Sequence, residues 1–444
     1  MKKKLILKVV AVLMALTFLP ILPQNNVANA ASSGSFTVLS YNVGGLPDII
    51  SSSNPKEYTI QISPLLNNFD FVSVQEDFAY HNDLIRYDNH PYRTATSGNV
   101  PFGDGMNFMS NWELKNRNRV TWNDRHGYFD NGSDMLTPKG ILFSRIEIAD
   151  GYYIDIYNIH ADAGSSAGDY AARRSNMNQL AAMIETVSEG NAVIVAGDTN
   201  CRFTRAEDNF ETAVLDRCGL TDCWVQIKRG GVRPADGDAL IDHNNLNSAN
   251  NEVVDKIWYR SGAGVTLNCI DYNLLTNFVD PNGNQLSDHY PITATFSWST
   301  NDNIKATDQV GGNSGGVGFS FYSTMGTRNL PTSITIRGAN RIDAVSFNYN
   351  GITESAGGTG GTAYTLNLNG GEYITSMTCN VNKYNGTDRI FYLKFTTSSG
   401  RTISAGVQSG TQYTFLAPSG YAIGGLFGRA GTNVDAIGAY FIKR

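Results

Sequence analysis

The chain has 444 residues, more than one ordinary domain holds, so its length predicts two domains. The formal net charge of −6 is divided unevenly, because residues 301–444 carry 11 basic and 7 acidic side chains, whereas residues 31–300 carry 19 and 33. A first domain with a net charge of −14 is a poor electrostatic partner for nucleic acid unless a metal ion compensates.

The first thirty residues have the pattern of a secretory signal peptide. Three lysines at 2–4 precede an apolar stretch over 5–22, and Ala28-Asn29-Ala30 provides a small-residue cleavage site. Pro20 and Pro23 interrupt the run before Ala28, which disfavours a membrane anchor. No other segment approaches the ~20 apolar residues of a spanning helix. We therefore expect a secreted, extracellular protein with no transmembrane segment in the mature chain.

The five cysteines do not form a disulfide scaffold in a chain of this length. Cys218 and Cys223 are the nearest pair in sequence, and the odd number leaves at least one free thiol. Neither a CxxC nor an HxxxH spacing occurs, which argues against a zinc site.

One buried strand ends in two polar side chains. The apolar residues 192–196 lead into Gly197-Asp198-Thr199-Asn200, and residues i and i+2 of an extended chain share a face. Asp198 and Asn200 can therefore converge on one point, which is typical of a functional site.

Other predicted strands carry polar residues at or near their ends in the same way. A helix with apolar residues at three- and four-residue spacing is predicted over 169–187, directly before the buried strand. This alternation predicts an α/β sandwich with one active-site edge. The strands are predicted over 35–42, 69–76, 152–160, 252–259 and 293–298, and the polar residues are Asn42, Glu76, His160, Asp255 and the pair Asp288-His289.

These residue types favour one kind of chemistry. Carboxylates such as Glu76 and Asp198 suit Mg²⁺ or Ca²⁺, which neutralises phosphate charge and stabilises a leaving oxygen. A histidine beside an aspartate can act as a general base toward water. Together they are the parts of metal-assisted phosphoester hydrolysis.

Five motifs in order resemble the endonuclease/exonuclease/phosphatase superfamily, also called DNase I-like. The motifs are Tyr41-Asn42-Val43, Val74-Gln75-Glu76, Asn158-Ile159-His160, Gly197-Asp198-Thr199-Asn200 and Ser287-Asp288-His289. The resemblance implies a four-layer α/β sandwich over residues 31–299 that hydrolyses phosphodiesters with Mg²⁺ or another divalent cation.

The resemblance also implies roles. Glu76 binds the metal, helped by Asn42, and Asp288 lies near it. Asp198 and Asn200 orient the attacking water and hold the phosphate. His289 is the general base, Asp255 orients it, and His160 donates to the phosphate or the leaving oxygen. Lys139 is a candidate phosphate contact, and Asp162 a candidate for a functional role.

The substrate is left open between lipid and nucleic acid. Within the superfamily, secreted bacterial sphingomyelinases and phospholipase C-like enzymes have a segment similar to His160-Ala161-Asp162-Ala163 and meet membranes through exposed loops. Candidates for such peripheral contact are Phe102, Phe108, Met109 and Trp112. The acidic balance favours a lipid headgroup over nucleic acid, with a secreted nuclease as the alternative.

After a polar linker at 300–308, residues 309–444 predict an all-β unit of short alternating strands and Asn-Gly hairpin turns. Residues 310–316 and 428–438 resemble a jacalin-like lectin. The resemblance implies a β-prism of three four-stranded sheets that binds mannose- or galactose-type glycans without metal. A competing hypothesis makes the whole chain a carbohydrate-binding protein with an inactive hydrolase scaffold.

The lectin resemblance places the sugar site on two loops. The family's Gly-x-x-x-Asp falls on Gly431 to Asp435, so Asp435 accepts from sugar hydroxyls and the backbone N–H groups of Asn433 and Val434 donate. Gly315 or Gly316 permits close approach of the sugar, since no Cβ intervenes.

Overall fold

The computed structural model describes residues 32–49, 51, 53–128, 134–313, 315–326 and 329–444. The predicted signal peptide lies outside the described residues. The first unit has twelve strands within this range. They are β1 (Ser33–Asn42), β2 (Phe71–Gln75), β3 (Tyr92–Arg93), β4 (Asn107–Ser110), β5 (Lys115–Thr121), β6 (Gly140–Ala149), β7 (Tyr152–His160), β8 (Ala192–Asp198), β9 (Thr221–Asp222), β10 (Asp255–Arg260), β11 (Val265–Leu274) and β12 (Ile292–Thr300).

Helices connect some of these strands. The longest, α3, begins with a capping box in which Ser166 and Asp169 satisfy each other's backbone N–H groups, so it starts two residues before the predicted helix. The α-helices are α1 (Pro55–Ile62), α2 (His81–Leu84), α3 (Ala167–Val187) and α4 (Cys223–Arg229). Ser63–Asn68 and Asp134–Leu136 are 3₁₀-helical, and Glu211–Asp216 is π-helical.

Two six-stranded sheets pack face to face, in the orders β11-β12-β1-β2-β4-β3 and β5-β6-β7-β8-β10-β9. The hydroxyl of Ser73 on β2 donates to the carbonyl of Ala196 on β8 at 2.9 Å, which ties one sheet to the other. Apolar side chains of α3, such as Leu180, pack on the second sheet, and those of α1, such as Ile62, pack on the first. The result is the expected four-layer α/β sandwich.

The stretch 89–128, rich in Gly and Asn, consists of loops around the short strands β3, β4 and β5. Phe108 and Met109 lie on β4, which is covered on both sides, and both are fully buried. Trp112 packs edge-on against Phe36 with ring centroids 5.5 Å apart. Phe108 and Met109 are therefore wrong as membrane-contact candidates, whereas Trp112 is half-buried and Phe102 is 83% exposed.

The second unit is made of strands and one short helix, α5 (Tyr322–Met325). The strands are β13 (Ile304–Ala306), β14 (Val310–Gly311), β15 (Val317–Ser320), β16 (Ser333–Gly338), β17 (Ile342–Tyr349), β18 (Ile352–Gly357), β19 (Thr362–Asn367), β20 (Ile374–Tyr384), β21 (Thr387–Thr397), β22 (Thr402–Gly406), β23 (Thr411–Leu416), β24 (Tyr421–Ala430) and β25 (Val434–Lys443).

The pairing of these strands gives three four-stranded sheets, in the orders β18-β17-β16-β19, β22-β21-β20-β23 and β14-β25-β24-β15. The last two sheets are joined by a single pairing between Ile374 and Ile423, and β13 adds to the outside of β25. Apolar residues from all three sheets form one core. This is the predicted β-prism.

The two units are in direct contact. The segment predicted as a linker contains β13, and the N–H of Ala306 in it donates to Gly151 of the β6–β7 turn at 2.9 Å. The hydroxyl of Tyr440 on β25 donates to the carbonyl of Glu189, just after α3, at 3.1 Å. The lectin unit therefore rests on the end of the sandwich where β7 and β8 begin.

All five cysteines are free thiols in buried positions. Cys218 and Cys223 are not bridged, although they are close in sequence. The neighbour of the Cys223 thiol is Cys269.

Candidate active site

Five of the predicted site residues meet at one edge of the sandwich because of strand direction. Strands β1 and β2 run parallel, as do β7 and β8, so the ends of all four strands can reach the same edge. Strand β10 runs antiparallel to β8 and starts opposite its end, with Asp255 paired to Asp198. The five residues are Asn42, Glu76, His160, Asp198 and Asp255.

His289 completes the cluster from the loop before β12. Its Nδ1 lies 2.8 Å from Oδ2 of Asp255, and its Nε2 lies 3.8 Å from Oδ2 of Asp198. One ligand atom from each of these three residues lies within 4.8 Å of the other two. The loop is anchored by Ser287, whose hydroxyl donates to the carbonyl of Asn42 at 2.7 Å.

The charges in this cluster perturb each other. Burial opposes a charge on His289, but Asp255 and Asp198 outweigh it and hold the pKa of His289 well above its usual range. Burial, followed by the charge of Asp255, raises the pKa of Asp198 to about 6. Two carboxylates and one imidazolium thus share a partly dry space, the environment in which functional groups acquire shifted pKa values.

Glu76 is held in position by its backbone and by Asn42. It has a left-handed backbone conformation with φ of 56°, which is uncommon for a residue with a side chain and marks a constrained position. The amide Nδ2 of Asn42 donates to Glu76 at 3.1 Å and to Asp198 at 3.2 Å. In this orientation Asn42 bridges the two carboxylates. Gly45 makes the fit possible, because a Cβ there would lie 2.6 Å from the carbonyl of Glu76.

His160 lies beneath these carboxylates and is neutral. Its Nε2 is 3.5 Å from Asp198 and 3.9 Å from Glu76. Burial, then the charges of Lys139 and His289, holds the pKa of His160 well below its usual range. A neutral imidazole in this position can donate one hydrogen bond but cannot supply a full positive charge.

Two predicted residues lie at the margin of the cluster. Asn200 is half-buried, and its Nδ2 donates to the carbonyl of Ala161 at 3.1 Å. Asp288 is exposed and accepts from the Ser287 hydroxyl at 3.2 Å. The structure therefore brings Asp288 to the rim near Gly44 and not into the three-residue cluster.

The positively charged side chain of Lys139 is buried behind the site, and the sequence predicts only part of this arrangement. Lys139 forms an ion pair with the fully buried Asp134. Although burial opposes its charge, Asp134 and then Glu76 raise the pKa of Lys139, which therefore stays positive beside the carboxylates. Asp134 lies in a polar stretch whose pattern gives no sign of a site, and for that reason the sequence does not reveal it.

Asp162 is also fully buried and lies close to Asp134. Its Oδ2 accepts from the N–H of His126 at 2.6 Å, while its Oδ1 has no donor in the part of the chain that the structure describes. Burial, then the charge of Asp134, raises the pKa of Asp162 to about 7.

The donor set at this edge fits a hard divalent cation. Glu76 and Asp198 offer carboxylate oxygens, and Oδ1 of Asp255 is buried without a donor in the described residues. Three carboxylates concentrated near one protonated histidine leave negative charge uncompensated, and all-oxygen sites of this kind suit Mg²⁺ or Ca²⁺.

The predicted sugar-binding residues also come together. A Cβ on Gly316 would lie 2.4 Å from Oδ2 of Asp435, so these two loops touch. Val434 is fully buried, and the side chain of Asn433 is engaged with Arg341 at 3.0 Å and Asp343 at 2.6 Å. Gly315 and Gly316 both have a left-handed φ that suits glycine.

Comparison with known families agrees with this architecture. Residues 35–220 match the model of endonuclease/exonuclease/phosphatase family 2, and residues 307–440 match the model of the jacalin-like lectin domain. The chain is an endonuclease/exonuclease/phosphatase domain followed by a jacalin-like lectin domain. Asp255, Asp288 and His289 lie beyond the matched range of the first family and are placed at the site by the structure.

Individual relatives match each domain. A sphingomyelinase of Mycobacterium bovis is 35% identical over 292 residues, which is 63% of this chain and 56% of that protein. The chain thus spans little more than half the length of this relative. Horcolin of Hordeum vulgare is 40% identical over 117 residues, 24% of this chain and 79% of that protein. A crystal structure of beta toxin from Staphylococcus aureus is 17% identical with a TM-score of 0.43, covering 58% of this chain and 99% of that one.

Proposed function

We propose that the chain is a secreted, divalent-metal-dependent phosphodiesterase that acts on a sphingomyelin-type lipid headgroup and is directed to glycan-bearing surfaces by its lectin domain. The observation that carries this proposal is the cluster of His289, Asp255 and Asp198 beside Glu76. A catalytically silent scaffold has no need to keep three carboxylates and a histidine at one edge, where their proximity is electrostatically costly.

In the proposed mechanism, a bound cation would offset the carboxylates that favour the imidazolium, so that His289 in its neutral form accepts the proton of the attacking water through Nε2. Asp255 holds the opposite ring nitrogen and stabilises the imidazolium that forms, as the carboxylate of a catalytic triad does. Asp198, which faces Nε2, orients the water, and Asn200 contacts the phosphate. The water oxygen bonds to phosphorus, the bond from phosphorus to the lipid oxygen breaks, and the lipid oxygen takes a proton from solvent, to which His289 in turn returns the proton it accepted. A phosphomonoester and an alcohol result.

Glu76 holds the divalent cation in this scheme, and Asp198 is close enough to share it. When bound, the cation neutralises the phosphate and stabilises the developing charge on the leaving oxygen. Asn42 fixes the spacing of Glu76 and Asp198. His160, which is neutral, donates a hydrogen bond to the phosphate, and Lys139 balances the carboxylates from behind.

Two features favour a lipid over nucleic acid. The first domain carries a net charge of −14, which repels a polyanion. Phe102 and Ile49 are 83% and 92% exposed and lie on loops next to the site. Phe102 is three residues before Gly105, which contacts the backbone at Glu76, and Ile49 follows Asn42 by seven residues. Exposed apolar side chains beside a site suit contact with a membrane surface. No helix in the described residues is long and apolar enough to span a bilayer.

The similarity to a mycobacterial sphingomyelinase supports the same choice. The lectin domain supports delivery to glycans, and the pattern of residues 1–30 supports secretion. The competing functions are a secreted nuclease and a carbohydrate-binding protein with an inactive hydrolase domain.

The test uses the full chain with Mg²⁺ on sphingomyelin vesicles and, separately, on plasmid DNA. We expect phosphocholine release from the vesicles and a fall of ~10²-fold or more for His289→Ala, since that is the usual contribution of a general base. His243→Ala, a change at an exposed histidine, is the control. Rapid DNA digestion without lipid activity would identify a nuclease, and inactivity on both would identify a silent scaffold.

A further inference from the structure

The carboxylate of Asp435, the predicted hydrogen-bond acceptor of the sugar site, already has a partner within the protein. Asp435 is only 3% exposed, and its Oδ1 forms an ion pair with Nε of Arg389 at 2.8 Å. Its Oδ2 faces the backbone of Gly316. A neutral hexose that used Asp435 would have to compete with a nearly buried ion pair, and separating such a pair is costly.

The loops around Asp435 carry an excess of positive charge. The guanidinium of Arg429 donates to the carbonyls of Gly315 and Gly316, both at 3.0 Å, and it forms no ion pair of its own among the residues that the structure describes. Two arginines therefore share one carboxylate here. The nearby Asp388 is paired with Lys383 at 3.3 Å and does not cancel the excess.

One nitrogen of the Arg389 guanidinium has no acceptor among the described residues. Its Nε is bound to Asp435 and its Nη1 donates to the carbonyl of Asp388 at 3.0 Å. Its Nη2 has no acceptor within the described ranges and lies at the surface of Gly315, where a Cβ would approach it to 3.3 Å. Hydrogen bonds from guanidinium to an anion are among the strong ones in proteins.

The same loop borders a cleft between the two domains. Asn313, two residues before Gly315, lines this cleft of about 870 Å³ together with strand β5 of the catalytic domain. That volume lies in the range of ligand-binding pockets, which are ~300–1,000 Å³. Its polar wall contains amide and hydroxyl groups, the partners that sugar hydroxyls need, from Thr94, Thr96, Asn116, Asn118, Gln309 and Asn313.

The cleft is also lined by one basic side chain, that of Arg117, without a partner among the described residues. Arg117 is exposed, and its side chain makes no ion pair or hydrogen bond with any residue that the structure describes. The other two basic residues of β5 are occupied, Lys115 by Glu147 and Asp308 and Arg119 by Asp104. Arg117 is thus the basic group of this strand that a ligand in the cleft would find unpaired.

We propose that the sugar loop and the interdomain cleft together bind an acidic oligosaccharide, with its carboxylate or sulfate held by Arg389 and its extension running along the cleft toward Arg117. The inference rests on the proposed glycan binding of the lectin domain and narrows its ligand class. It also makes the catalytic domain one wall of the glycan site.

The experiment measures binding of the full chain to three sets of immobilised oligosaccharides: neutral mannose and galactose types, carboxylate-bearing types and sulfated types. We expect binding to an acidic set that weakens as salt is raised, because charge contacts are screened. The two acidic sets distinguish a carboxylate from a sulfate ligand. Arg389→Ala should reduce the affinity about tenfold or more, as the loss of a charge-assisted hydrogen bond does.

Three further variants make the test robust. Arg117→Ala removes an exposed, unpaired side chain and should weaken only the longer acidic ligands. The double variant Arg389→Ala/Asp435→Asn removes the ion pair without leaving an unpaired buried charge. Lys394→Ala, on the same strand as Arg389, is the control for general loss of charge. Phosphodiesterase activity on a soluble substrate should stay unchanged in all of them.

Two results would overturn the inference and are distinguishable. Salt-insensitive binding to neutral glycans alone, unaffected by Arg389→Ala, would leave the lectin role intact and reject the acidic ligand. Absence of binding to all three sets would reject the glycan-binding role itself.

Discussion

Nδ1 of His289 lies 2.8 Å from Oδ2 of Asp255, and the opposite nitrogen of the same ring faces Asp198. The imidazole is thus held between two carboxylates that come from paired positions on β8 and β10. This relationship fixes both the orientation of the ring and the sign of its pKa shift.

Replacing Asp255 by Asn should lower the pKa of His289. Burial alone opposes the charged imidazole, and Asp255 is the largest contribution that outweighs it. In the metal-free protein, an NMR titration of the His289 ring should show a pKa well above 6.5 in the wild type and a lower one in the variant. Identical His289 titrations would mean that Asp255 only orients the ring.

The same shift predicts the pH dependence of stability. The folded-state pKa of His289 is raised, so its ion pairs stabilise the metal-free protein fully below about 6.5 and progressively less as pH rises through the folded-state value. Asp255→Asn should therefore lose more thermal stability near pH 6 than at strongly alkaline pH.

Glu76→Gln should weaken metal binding. Chelation by EDTA is expected to abolish turnover and added Mg²⁺ to restore it, and the variant should need roughly 10-fold or more Mg²⁺ for half-maximal rate. An independent readout is the rise in melting temperature on adding Mg²⁺, which follows from binding to the folded state alone. Glu57→Gln, at an exposed carboxylate on α1, is the control. A Mg²⁺-dependent melting shift that survives in Glu76→Gln would place the cation elsewhere.

Asp162→Asn should stabilise the protein in a pH-dependent way. Burial and Asp134 raise the pKa of Asp162 to about 7 from 3.8, so the buried carboxyl is tolerated when protonated and destabilises the fold as pH rises between those values. The asparagine can still accept from His126 but does not ionise. The melting temperature of the variant relative to wild type should increase from pH 4 to pH 8. An offset that is the same at both pH values would contradict the shift.

Phe102→Ser and Ile49→Ser should reduce attachment to lipid vesicles without affecting a soluble phosphodiester. Transfer of one such side chain out of water contributes ~1.5–3 kcal/mol when complete, so a loss of about tenfold in partitioning per residue is expected. Val232→Ser is the control, because Val232 is also exposed and apolar but lies far along the chain from these loops. Equal losses of partitioning for all three variants would indicate nonspecific hydrophobic adsorption and not a defined membrane-contact surface.

Much of this architecture could be predicted from sequence because strands and their polar ends are local signals. The alternating residues before Asn42 and the buried run before Asp198 both form the strands that their patterns predict. The left-handed turn at Glu76 and the pairing of Asp255 with Asp198 depend on neighbours far along the chain, and no motif predicts them. The predicted strand at 252–259 begins instead at Asp255, whose pairing with Asp198 starts the β10 ladder.

The features that the sequence does not predict correctly also have physical causes. Phe108 and Met109 stand in a stretch rich in Gly and Asn that predicts loops, but they alternate on β4, so that Phe108 packs into the core between the sheets and Met109 into the core that contains Ile62 of α1. Lys139 and Asp134 neutralise each other inside the protein, and an ion pair of residues five apart in a polar loop has no distinguishing pattern. Arg389 lies 46 residues before Asp435, so the two residues pair only when the sheets of the β-prism come together.

The contact between the domains leaves little space for motion. A Cβ on Gly190 would come within 2.6 Å of the Tyr322 ring, and one on Gly318 within 2.9 Å of the carbonyl of Thr186. The lectin domain therefore packs directly against the catalytic domain. Under the proposed function, a cell surface that offers its sugars at the wrong height above the bilayer would hold this protein with its catalytic edge out of reach of the lipid, and the geometry of the glycan coat would then be part of what selects the target.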